Sequence, residues 1–211
     1  VLTNIGYLVG YDNLRRDPVW VCYKLCRVTN LKPAPRPKGF AVDTRTMARV
    51  SSKDYNGCGY DRGHCAPNRA IGVCYGEQAQ FETFLMSNIL PEAPRLNRQV
   101  WEHLEATEIL DYAQRFGTVW IITGPVFGAG NIKLKSGVII PDACFKIMIR
   151  EDAGAVKVSA FIIPETVSGN EDSLEFRRSV REIEQSTGLD FMGELPDDLQ
   201  NQIEAKKTEM W

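Results

Sequence analysis

The 211-residue sequence holds only two histidines, His64 and His103, and no stretch of about 18 consecutive apolar residues. The second absence excludes a membrane-spanning helix. The first means that any chemistry needing an imidazole near neutral pH falls to one of two positions. No internal repeat is present. Around His64, the quartet Cys58, His64, Cys65 and Cys74 has no C-x₂₋₄-C pair and no second histidine downstream, which argues against a zinc cluster. The six cysteines (22, 26, 58, 65, 74 and 144) leave the redox compartment open, as paired half-cystines or as buried thiols. Cys22 and Cys26, in "WVCYKLC", sit on one face of an alternating strand.

What is present is ordinary for a soluble globular chain, at 44% hydrophobic and 25% charged residues. The length fits one domain over residues 1–211 with a sizeable core. Opening on Val1 instead of Met, the sequence reads as a trimmed product, so a signal or anchor before it would not show. The net charge of −2 conceals an asymmetry. From Arg27 to Arg69 there are nine basic and three acidic side chains, a net +6, whereas Glu151 to Trp211 carries −8. Such a division is the pattern of a chain that holds an anionic partner at one face, although a charge-balanced solvated surface gives it too.

Strand signals dominate. "IGYLVGYD", "VWVCYKLC", "TVWIITGPVF", "GVIIPDACFKIMI" and "VKVSAFIIP" are rich in β-branched and aromatic residues and bounded by Gly, Pro or Asn. One helix is expected from about Arg98 to Phe116, stopped by Gly117, and another over "SLEFRRSVREIEQSTG", opening on Ser173. "LKPAPRPKGF" reads as a proline-punctuated loop inside the domain. The irregular order of elements makes the class α+β.

The most basic segment contains "GCGYDRGHCAPNRA". Gly63 permits a tight turn or a close backbone approach, Arg62 is suited to clamping a phosphate, and His64 is the evident proton acceptor. A structural histidine in a turn is the competing reading of those four letters. Downstream, Asn97 falls at the start of the long helix, where it could face a hard cation or simply cap the helix. At 100° per residue Glu105 lies 80° from Asn97 and about 12 Å further along the axis, while His103 points the other way. Glu105 would therefore reach a cation at Asn97 through water.

"YDRGHCAPN", "SNILP" and "LNRQVWEHLE", in this order, resemble the DNA/RNA non-specific endonucleases with a ββα-metal (His-Me) finger. The likeness extends through "GYLVGYD", "PVWVCYKL", "ITGPVF", "IIPDACFKIMI" and "STGLDF", nearly the whole chain. It implies a mixed, mainly antiparallel central sheet flanked by helices, carrying that finger. It also implies roles: His64 as general base, Asn97 as Mg²⁺ ligand with Mn²⁺ as a substitute ion, Glu105 ordering water at the ion, and Arg62 in the phosphate site. Asn88 of "SNILP" matches a supporting position, with a buried turn asparagine as the alternative. Arg45 resembles an upstream phosphate-binding arginine, and Glu92 stands where many relatives have glutamine. Cys65 is either a small inert neighbour of the histidine or a redox-sensitive one.

The residue types suit the chemistry. Phosphodiester hydrolysis needs a base for water and charge stabilisation at the phosphoryl and leaving oxygens. Mg²⁺ keeps several waters and needs few protein ligands. The expected activity is sugar-non-specific cleavage of DNA and RNA to 5′-phosphate ends, with an acid limb between about pH 5 and 7. The alternatives are a catalytically weakened nucleic-acid-binding relative and a disulfide-framed extracellular binding module. An inhibitor protein is a candidate partner, and the cost of a free nuclease to its own cell favours secretion or another extracytoplasmic location. Oligomeric state is not readable.

Overall fold

The computed structural model describes residues 1–130, 132–207 and 211. Among these residues nine strands build two sheets, flanked by helices. The strands are β1 (Leu2–Asn4), β2 (Tyr7–Asp12), β3 (Asp17–Cys26), β4 (Asp61–His64), β5 (Ile89–Glu92), β6 (Thr118–Val126), β7 (Ala143–Asp152), β8 (Ala155–Pro164) and β9 (Arg177–Arg178). Seven of them form one sheet in the order β1-β2-β3-β6-β7-β8-β9, and β4 pairs with β5 separately. Among the described residues every strand ladder is antiparallel, and parallel pairing is confined to the isolated bridge Ala41–Leu85.

Alternation along each strand decides which side layers form. Val21, Tyr23 and Leu25 of β3, Val119 and Ile121 of β6, and Met148 of β7 bury on one face. There they meet Ile71 of helix α1 (Asn68–Tyr75) and Leu96, Val100, Trp101, Leu104 and Tyr112 of a long helix, 96–116. The other face of the sheet, with Phe145, Ile147, Val158 and Ala160, packs on Val180, Ile183 and Phe191. The helix Val180–Thr187 is fixed there by a capping box between Ser179 and Glu182 and ends on Gly188 in the left-handed region. A second short helix, Glu77–Glu82 (α2), follows α1.

Two expectations are corrected. In "GVIIPDACFKIMI" the strand begins only at Ala143; Pro141 has no N–H for a ladder, and the preceding residues form an isolated bridge, Lys133–Ile139. The helix expected from Ser173 is a 3₁₀ turn, Ser173–Phe176, followed by two strand residues, and the true helix starts after Ser179. The long helix is not uniformly α. Its segments Leu96–Trp101 and Glu108–Tyr112 are π-helical, separated by α turns Glu102–Thr107 and followed by Ala113–Phe116. Among the described residues no helix is long and apolar enough to cross a membrane.

Candidate active site

A cavity of about 560 Å³ opens where β4, the start of α1, the first turns of the long helix and the proline-rich loop meet. Its walls include Arg36, Phe40, Asp61, Arg62, His64, Asn68, Arg69, Asn97, Arg98 and Glu105.

His64 ends β4, opposite Ile89 of β5. Only 7% of it is exposed, and its ring lies 4.9 Å from Phe84 in an edge arrangement and 5.5 Å from Phe40. Nε2 is buried without a hydrogen-bond partner among the described residues. Burial, and secondarily the Arg36 charge, push the imidazole pKa down to about 3. The aromatic walls thus hold the base neutral well below the pH 5–7 range expected from sequence.

Asn88 explains how the turn after His64 is held. Completely buried, it accepts from Ala66 N–H at 2.9 Å and donates to the carbonyls of Ala66 and Thr83, each at 3.0 Å. Its own carbonyl accepts from Cys65 N–H at 3.0 Å. Asn88 does not line the cavity; it clamps the two residues that follow the histidine. Cys65 is buried, and burial first raises its thiol well above the ordinary range, so it is held as a thiol.

Arg62, two residues before His64, donates to Ser52 O and, at 2.8 Å, to Asn56 Oδ1, with its guanidinium 5.6 Å from the Tyr55 ring. Its buried Nε has no partner among the described residues, which leaves a fixed donor. Asn97 Nδ2 donates to Asp61 Oδ2 at 2.9 Å, fixing the amide orientation, and Arg98 makes two bonds to the same carboxylate at 2.6 and 2.7 Å. Burial would raise the Asp61 pKa, but the bonds from Arg98 and Asn97 outweigh it and hold the group below the usual carboxylate range. Asn97 is a helical residue with an αR residue before it, so it is not an N-cap.

The π-helical turn Leu96–Trp101 matters to Glu105. Each residue of a wider turn advances by less than 100°, so Glu105 comes round toward the Asn97 face, and both line the cavity. Glu105 is half-buried, and burial pushes its pKa up to about 8, opposed by Lys146. Behind it Lys146 and Glu108 form a fully buried ion pair, Tyr23 Oη donates to Glu108 at 2.7 Å, and Lys146 Nζ lies 4.4 Å from the Trp101 ring. A cation in the cavity would restore the Glu105 carboxylate.

Arg45 is not brought to the cavity. Its guanidinium is committed to Asp43, the Thr3 carbonyl and Asn4, on the β1 side. The upstream arginine that does line it is Arg36, 5.2 Å from the Phe84 ring. Sequence reasoning did not single out Arg36, Phe40, Phe84 or Asp61 for the site. Only the basic run offered a hint of Arg36. His103 is exposed on the other side of the helix, against residues 169–171.

Residues 1–198 match the DNA/RNA non-specific endonuclease family profile. The chain belongs to that family. It is 32% identical over 216 residues to a nuclease of Nostoc sp., covering 95% of this chain and 76% of that one. To human mitochondrial endonuclease G it is 30% identical over 204 residues, covering 89% and 67%, and to the Serratia marcescens nuclease 30% over 212 residues, covering 95% and 78%. The fold of endonuclease G in its complex with EndoGI superposes with a TM-score of 0.80 at 25% identity, covering 92% of this chain and 86% of that one. In this endonuclease-family chain β4, β5 and the long helix make the ββα unit, and family membership makes it a nucleic-acid hydrolase.

Proposed function

We propose that the chain is a divalent-metal-dependent endonuclease that cleaves DNA and RNA without regard to the sugar, leaving 5′-phosphate ends. The observation that carries this is His64, seated against Phe40 and Phe84, in a cavity shared with Arg62, Asn97 and Glu105. These residues fit a hard cation. Asn97 keeps its carbonyl oxygen free for a hard cation while its nitrogen is tied to Asp61. Asn97 would hold Mg²⁺, or Mn²⁺ in its place, with Glu105 ordering the surrounding water; the ion supplies charge stabilisation at the phosphoryl and leaving oxygens.

The protein's own part runs as follows. His64 takes a proton from the attacking water through its imidazole, while Arg62 and Arg36 donate to the phosphate. The clamp of Asn88 on Ala66 keeps the imidazole aimed. Hydrolysis breaks the bond to the 3′ oxygen and leaves the phosphate on the 5′ side. Recognition is of the phosphate backbone, for which the +6 segment supplies the charge. Arg45 would contribute only to holding the β1 side. DNA, RNA and an inhibitor protein are the partners this reading implies, with confinement outside the cytoplasm. Nicking of supercoiled plasmid and degradation of RNA, both stopped by EDTA and restored by Mg²⁺, are the expected results; cleavage of only one polymer, or cleavage indifferent to EDTA, would refute it.

A further inference from the structure

Glu92 is the last residue of β5 and is 0% exposed, yet neither carboxylate oxygen has a hydrogen-bond partner among the described residues. Its neighbour Glu165 differs: that carboxylate accepts from Ala93 N–H and Cys144 Sγ. The groups facing Glu92 are mostly acidic or neutral: Asp61 on β4, Cys65 beyond it, Glu105 on the long helix, Cys144 on β7 and Glu165 after β8. The cation among them, Lys146, is paired with Glu108. The Glu92 carboxyl also fills the space beside Gly63. A Cβ on Gly63 would lie 2.0 Å from Glu92 Cδ. Gly63 is therefore required for the close approach of this carboxyl, not of a ligand, and the approach fixes β4 one residue before His64.

We infer that Glu92 is a neutral carboxylic acid in the folded protein and serves as a positioning residue, setting the Asp61–His64 strand through its contact with Gly63. An ionised carboxylate without donors, surrounded by acidic groups, is the arrangement an interior tolerates least, and protonation removes the charge while keeping the shape. Burial drives the same direction, followed by the Glu165 and Glu105 charges. The sign of the pH dependence follows. The folded state retains a proton that the unfolded chain releases near pH ~4.5, so this contribution is complete at acid pH and is lost as pH rises through the folded value.

The activity consequence rests on the nuclease reading; the protonation does not. Glu92→Gln, isosteric with the neutral acid, should fold and keep near-normal cleavage. As pH rises above the ordinary carboxyl range its melting temperature should gain on the wild type by about 3–5 °C per pH unit until the wild-type group titrates, because the wild type alone carries this titration. Infrared difference spectra should show a protonated-carboxyl C=O band in the wild type that Glu92→Gln lacks. In cleavage assays the wild-type kcat/KM should fall at alkaline pH with the strand's displacement, and the Glu92→Gln profile should stay level there. A pH-independent gap in melting temperature, no lost infrared band, or failure of Glu92→Gln to fold would overturn the protonation. Intact infrared and melting signatures with identical alkaline profiles would overturn the positioning role, and absence of cleavage in both proteins would instead strike at the nuclease reading.

Discussion

Replacing Asn88 with alanine separates holding the histidine from being the histidine. The change removes three hydrogen bonds at a site with no solvent exposure and strands Ala66 N–H, Ala66 C=O and Thr83 C=O. Each unsatisfied buried group costs about 1–3 kcal/mol, and partial relaxation of the turn brings the total to about 3–5 kcal/mol. For a chain of this size that is a fall of about 10 °C or more in melting temperature. Assayed well below that transition, the folded variant should still lose about 10²-fold in kcat, because the turn after His64 is no longer pinned and a displacement of an ångström at the base is costly. Substrate KM should change little, since Asn88 does not line the cavity. Thermal melts by circular dichroism with steady-state cleavage at low temperature measure both. Wild-type stability together with wild-type kcat would refute the clamp; lost stability with unchanged kcat would leave it as a fold residue alone.

Other substitutions divide the site. Asn97→Ala should nearly abolish cleavage at ordinary Mg²⁺ with the fold intact, and Glu105→Ala should lose less, as expected if it acts through water; a metal titration of rate reads both, and a fully active Asn97 variant would remove it as ligand. Asp61→Ala frees the Asn97 amide and should raise the Mg²⁺ concentration for half-maximal rate by about 10–100-fold. It should cost stability little, because its partner Arg98 is 67% exposed and the pair is screened by solvent. Stability should also fall as pH drops from about 6.5 towards the folded value of His64, since the unfolded chain takes up a proton that the buried imidazole refuses; acid melts of His64→Gln should show a shallower fall.

How much was legible depended on length and on local chemistry. β3, β6 and β8 announced themselves because nine or ten residues alternate with the burial they later show. β4 and β5 did not, because four residues containing Gly63 or Pro91 carry no period. Ser173 and Ser179 both look like helix starts, and only Ser179 has its glutamate three residues on. In the site, Arg62, His64, Asn97 and Glu105 could be found because each is a chemical type placed in an ordered motif. Phe40, Phe84 and Arg36 could not, since they reach the histidine only through the path of a proline-rich loop and a turn. Together, the burial of His64 against those rings and the Arg36 charge are what move the histidine's titration.

The most direct test of the central claim is the pH–rate profile of His64→Ala beside the wild type and His103→Ala, each with Mg²⁺. The wild type and His103→Ala should share an acid limb displaced below the ordinary histidine range, by the burial that holds His64 neutral. His64→Ala should lose that limb and about 10²–10⁴-fold in kcat/KM while melting as a folded protein. Near-normal rates in His64→Ala, or a dead His103→Ala, would contradict the mechanism.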